Sequence, residues 1–130
     1  MTPQARARKH YEALGYTVWI VERWIPQARR RIDLYGMFDL LAITCDMTVG
    51  VQATTGAHVA ERVAKMQACP HLATWCAALN REAHVIGFSK RKPRGAKRAT
   101  WEHRLVNVEP LGIEKFGCQS WNPPEEGRTR

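Results

Sequence analysis

Residues 36–43 read GMFDLLAI and residues 49–55 read VGVQATT, and these two runs decide the architecture. The stretch 38–44 is apolar on both faces apart from Asp39, the pattern of a central strand covered on two sides. Asp46 marks the turn after it. In the stretch 48–54, Val49, Val51 and Ala53 share one face, and Gly50, Gln52 and Thr54 share the other. Strands joined by so short a turn are hairpin partners, which brings Asp39 and Gln52 within reach of each other. A charged carboxylate beside an apolar run is costly without a cation, a metal or water. Two side-chain oxygens converging at a sheet edge suit a hard divalent cation, which takes oxygen ligands and keeps several waters.

Upstream, Thr2 followed by Pro3 is a helix start and Gly15 a stop, with Ala7, Tyr11 and Leu14 at helical spacing between them. Residues 16–24 are rich in β-branched and aromatic side chains and predict a first strand ended by Pro26. Residues 27–36 then form a connection or protruding turn. Downstream, Val59, Val63 and Met66 form the buried stripe of a helix over 57–67, while His58, Arg62 and Lys65 make a polar stripe. Leu72, Trp75, Cys76 and Leu79 extend the helical pattern to Asn80. Residues 83–88 and 101–108 predict two more strands, joined by a loop or hairpin tip over 89–99. The order is α-β-β-β-α-β-β, an α/β arrangement with helices packed on a mixed sheet.

This order, with GMFDLLAI and VGVQATT at its centre, resembles the PD-(D/E)XK nuclease superfamily, the fold of restriction endonucleases and Holliday junction resolvases. The resemblance covers roughly residues 2–108. It implies a restriction-endonuclease-like core and Mg²⁺-dependent hydrolysis of DNA phosphodiesters, with branched DNA as a substrate class and Mn²⁺ as a substitute metal. Asp39 stands in the first metal-ligand position and Gln52 where the family normally carries Glu. Thr54 occupies the usual lysine position, and Lys65 on the following helix is the candidate replacement, on one stripe with Arg62 and His58. Arg62 would support the scissile phosphate. Glu12 matches a helix-one glutamate that serves some members as an extra ligand. The alternative function is a nucleic-acid-binding module that keeps the fold without cleaving.

Each of these residues also has a plainer role open to it. Asp39 fits a turn carboxylate, Gln52 a solvated strand residue, Glu12 a solvated helix face, and Lys65 an i,i+4 partner of Glu61. Asp33 sits in the arginine-rich connection, as a ligand or as a partner for the arginines.

The 130 residues suit one domain, here expected over 1–118, with a poorly ordered tail over 119–130. Twenty Lys and Arg against twelve Asp and Glu leave a formal charge of +8, a surplus that attracts polyanions. The cations are clustered at Arg29, Arg30 and Arg31, and at Lys90, Arg91, Lys92, Arg94, Lys97 and Arg98. Such clusters repel internally unless phosphates are near, so both are expected to contact nucleic acid. Trp101 directly follows the second cluster, where an aromatic ring can stack on a base. A basic cluster binds RNA as well as DNA. One small domain has limited reach over a duplex, which favours a homodimer with a site for each strand.

The first 15 residues hold no apolar core of about 7–15 residues, and no stretch approaches the roughly 20 apolar residues that span a bilayer. A cytoplasmic protein with reduced Cys45, Cys69, Cys76 and Cys118 is the expectation. Cys69, His71 and Cys76 lack the paired spacing of a zinc site. A small basic nuclease of this kind suits a phage, a mobile element or a DNA repair pathway.

Overall fold

The structure, a computed structural model, describes residues 1–112. The chain forms α1 (Pro3–Ala13), β1 (Thr17–Ile20), β2 (Arg23–Ile25), β3 (Arg30–Ile32), β4 (Leu40–Ile43), β5 (Thr48–Thr55), a 3-10 turn (Gly56–His58), α2 (Val59–Gln67), α3 (Leu72–Cys76), β6 (Arg81–Arg91) and β7 (Thr100–Asn107). The expected tail and residues 113–118 lie outside the described residues.

Five strands form one mixed sheet in the order β1-β4-β5-β6-β7, with β5 and β6 parallel and every other pair antiparallel. Period-2 alternation splits the core between its two faces. On one face Ala7 and Tyr11 of α1 pack on Leu40, Ala42, Val49, Val51, Ala53, Ile86 and Phe88. On the other, Val59, Met66 and Leu72 pack with Phe38, Ala83, Val85 and Val108. Gly50 is required there, because a Cβ would collide with the Phe38 ring lying across it. The chain is therefore a helix, sheet, helix sandwich, the mixed α/β class expected.

Local chemistry explains the boundaries. Thr2 Oγ1 accepts from the Ala5 amide at 3.1 Å, Pro3 opens α1, and Gly15 adopts φ +96° just beyond its end. The single strand expected over 16–24 is broken in two, because the amides of Val21 and Glu22 both donate to the Asp39 carbonyl, at 3.0 and 3.3 Å, and turn the chain out of the sheet. Beyond the break, β2 and β3 pair as a separate hairpin, turned at Pro26, with Arg29 in the left-handed region at φ 51°. The helix expected to reach Asn80 stops at Cys76. Arg81 caps it by donating to the carbonyls of Trp75 and Thr74 at 2.8 and 3.0 Å. β6 runs three residues further than expected, so Lys90 and Arg91 belong to an extended strand and not to the loop.

Candidate active site and nucleic-acid interface

The β4–β5 register pairs Leu40 with Val51, and one step beyond it Asp39 stands opposite Gln52. Asp39 is wholly buried and Gln52 nearly so, which removes the solvated-strand and turn-carboxylate roles. The Asp39 carboxylate accepts from Gln4 Nε2 at 3.0 Å and from the Ala53 amide at 3.1 Å. These donors are neutral. Burial raises its pKa to about 7 against the pull of those bonds, and the nearby carboxylates of Asp33 and Glu22 push it further in the same direction.

The Gln52 amide has two orientations. In one, its Nε2 lies 3.4 Å from Asp39 Oδ2. In the other, the nitrogen donates to the Met37 carbonyl at 2.7 Å and to Asp33 Oδ2 at 3.2 Å, and the carbonyl oxygen turns toward Asp39. The second satisfies more hydrogen bonds at shorter distances and is the favoured orientation. It leaves two oxygens facing each other, a pair that is stable only with a proton or a cation between them.

Asp33 is half-buried; burial and Glu22 raise its pKa, while Lys65 and Arg62 of α2 oppose the rise. Lys65 and Arg62 thus act electrostatically on Asp33 from one stripe of α2. Glu61, the alternative partner of Lys65, lies 3.3 Å from His58. Arg62 Nε is buried with no hydrogen-bond partner among the described residues. Thr54, two residues on from Gln52, is buried.

Glu12 does not join the site. It is exposed on the outer face of α1, 3.3 Å from Arg8 in an i,i+4 pair, and the α1 residue that reaches Asp39 is Gln4, at the opposite end of the helix. Sequence reasoning misses two contributors. Gln4 carries no motif. Glu22 falls within the strand expected over 16–24, yet its side chain is only 8% exposed and accepts from Arg31 Nη1 at 2.8 Å.

The facing oxygens of Asp39 and the Gln52 carbonyl, with Asp33 behind the Gln52 amide, fit a hard divalent cation in their chemistry. Among the described residues no group of three or more His, Cys, Asp and Glu side chains converges as a ready metal site, so such an ion would have to retain waters. Cys69 Sγ is directed to the Tyr35 carbonyl and Cys76 Sγ to that of Val108. Cys118 lies outside the described residues.

Register also locates the basic clusters. The C-terminal ends of β1, β5 and β6 and the N-terminal ends of β4 and β7 share one end of the sheet. Asp39 lies at this end, and both the β2–β3 hairpin and the β6–β7 arm project from it. The arm, carrying Lys90, Arg91, Lys92, Arg94, Lys97 and Arg98, continues roughly 20 Å beyond the level of Gln52, six residues at strand rise. Arg29, Arg30 and Arg31 are exposed at the hairpin, but Arg31 is already paired with Glu22. Arg91 lies 3.5 Å from Glu102. Trp101 is 48% exposed, and the Arg6 guanidinium sits 3.5 Å over its ring.

No helix of the described residues is long and apolar enough to cross a membrane. Comparison with protein-family models, curated proteins and solved structures returns no match.

Proposed function

We propose that the chain is a Mg²⁺-dependent endonuclease with a restriction-endonuclease-like core, acting on DNA phosphodiesters. One observation carries the reading. A buried carboxylate, Asp39, bonded among the described residues to neutral donors and facing the Gln52 carbonyl, lies near the carboxylates of Asp33 and Glu22, with Lys65 and Arg62 acting on Asp33, at the end of the sheet from which both basic hairpins project. An acidic cluster inside a basic surface is the charge pattern that holding a cation against a polyanion requires.

Asp39 and the Gln52 carbonyl would hold the ion, with Mn²⁺ able to replace Mg²⁺. When bound, the ion supplies Lewis acidity at phosphoryl oxygens and a more acidic water. Asp33 accepts the Gln52 amide hydrogen and so aims the Gln52 oxygen at Asp39, a positioning role. Lys65 orients the attacking water and offsets charge on the phosphate, and the charge of the Arg62 guanidinium supports the scissile phosphate. The basic hairpins hold the strands by phosphate contacts. Two sites on a homodimer would address the two strands of a duplex.

The second reading, a binding module without cleavage, is favoured by the neutral ligand Gln52 and by Thr54 in place of lysine. Incubation with supercoiled and branched DNA in Mg²⁺, in Mn²⁺ and with chelator separates the two, with structured RNA as competitor. Metal-dependent nicking that falls at least about 100-fold in Lys65→Ala supports the nuclease. Tight, salt-sensitive binding without cleavage in any metal selects the module.

A further inference from the structure

A groove of about 380 Å³ opens between α1 and β7, lined by Arg6, Lys9, His10, Phe88, Trp101 and His103, on the α1 face of the sheet. Its walls are built in two matched rungs. Arg6 and His10 are four residues apart on the helix, and Trp101 and His103 two apart on the strand, so both pairs repeat at about 6–7 Å. The Arg6 guanidinium lies 3.5 Å over the Trp101 ring, and the His10 and His103 rings are 4.6 Å apart. β7 is an edge strand, which leaves the groove open along one side. Glu102 is the acidic residue in the lining, and Arg91 lies 3.5 Å from it. The groove is therefore cationic and aromatic together.

Cations alone suit any polyanion, but planar rings interleaved with cations suit unpaired bases, whose faces are free to stack. Paired bases inside a duplex present no such face. Gln4 and Arg6 lie two residues apart on α1; Gln4 bonds Asp39 and Arg6 stacks on Trp101. The helix thus ties this groove to the acidic cluster.

We propose, building on the nucleic-acid reading of the site, that the α1–β7 groove binds an unpaired nucleotide of single-stranded or splayed nucleic acid. A base stacks on Trp101, against or in place of Arg6, beside the His10 and His103 rings, and Lys9 faces the adjoining phosphate. The substrate class implied is nucleic acid with a single-stranded segment next to a duplex.

The test is fluorescence anisotropy in chelator at fixed salt, with labelled oligo(dT), an oligo(U) of equal length, a fully paired duplex hairpin and a duplex with a single-stranded flap. Trp101→Ala weakens oligo(dT) and flap binding by about 5- to 100-fold, a loss several times larger than on the paired hairpin, while Trp101→Phe retains most of the affinity. Lys9→Ala, exposed on the helix, weakens single-strand binding without touching the stack. Quenching of tryptophan fluorescence by oligo(dT) that is smaller in Trp101→Phe than in the wild-type protein places the base at this ring. Equal losses on single strand and duplex, wild-type affinity in Trp101→Ala and Lys9→Ala, or no single-strand binding at low salt overturns the proposal. Because cleavage plays no part in the readout, the groove can fail while metal-dependent nicking persists, and can hold where nicking is never seen.

Discussion

Asp39 and Gln52 face each other from adjacent antiparallel strands, one register step beyond the Leu40–Val51 pair, with Asp39 Oδ2 3.4 Å from the Gln52 amide. With the amide turned to bond Met37 and Asp33, the two facing atoms are both oxygens. Their mutual repulsion links protonation, metal binding and stability at one point in the fold.

Without metal, the protein should lose stability as pH rises. The Asp39 pKa is raised from 3.8 to about 7, so between those values the folded state keeps a proton that the unfolded chain has released. Its contribution is fully present below about pH 4 and is lost as pH passes 7, on the order of 4 kcal/mol. The depressed pKa values of His84 and His10 act with the opposite sign. Urea melts in chelator at pH 5 and pH 8, comparing wild type with Asp39→Asn, isolate the Asp39 part, and the variant is expected to lose this pH-dependent penalty.

Metal should reverse the trend. A divalent ion displaces the Asp39 proton, so its affinity rises with pH through about 7 and its stabilisation follows mass action. Millimolar Mg²⁺ is expected to raise Tm more at pH 8 than at pH 5.5, and not at all in Asp39→Asn. Equal shifts at both pH values in both proteins would place the ion elsewhere.

Gln52→Glu offers a charged ligand in place of a neutral one. In chelator it brings another carboxylate beside Asp39 and takes the amide donor from Asp33 and Met37, which should destabilise the fold by about 1–3 kcal/mol. With metal the sign reverses, and calorimetric titration should show affinity about tenfold tighter.

The two basic clusters should differ in weight. Neutralising Lys92, Arg94, Lys97 and Arg98 at the tip of the β6–β7 arm is expected to lower the salt slope of DNA binding by up to about 0.9 for each phosphate no longer neutralised. Arg31→Ala should change it less, because Arg31 is already bonded to Glu22.

The fold is largely legible in the sequence because the two-faced apolar run of residues 38–44 marks a central strand covered on both sides, and the pairing of Asp39 with Gln52 follows from one short turn. Lys65 and Arg62 are legible for a similar reason, since helical spacing sets their stripe. Glu22 and Gln4 are not. Glu22 enters through the break in the first strand, which is made by the Asp39 backbone carbonyl accepting two amides, a tertiary interaction that leaves no mark in local propensity. Gln4 reaches Asp39 only because α1 lies across the sheet, a packing outcome that helical periodicity cannot place. Glu12 fails as a ligand because its position near the C-terminal end of α1 is far from the end that touches the site.

The most direct test is nicking of supercoiled DNA by the wild-type protein and by Asp39→Asn, side by side, in Mg²⁺ and in chelator. Asparagine keeps the size of the side chain and removes the charge that holds the ion. Nicking that requires metal and falls at least about 100-fold in Asp39→Asn is the predicted result; nicking at the wild-type rate in that variant would contradict the account.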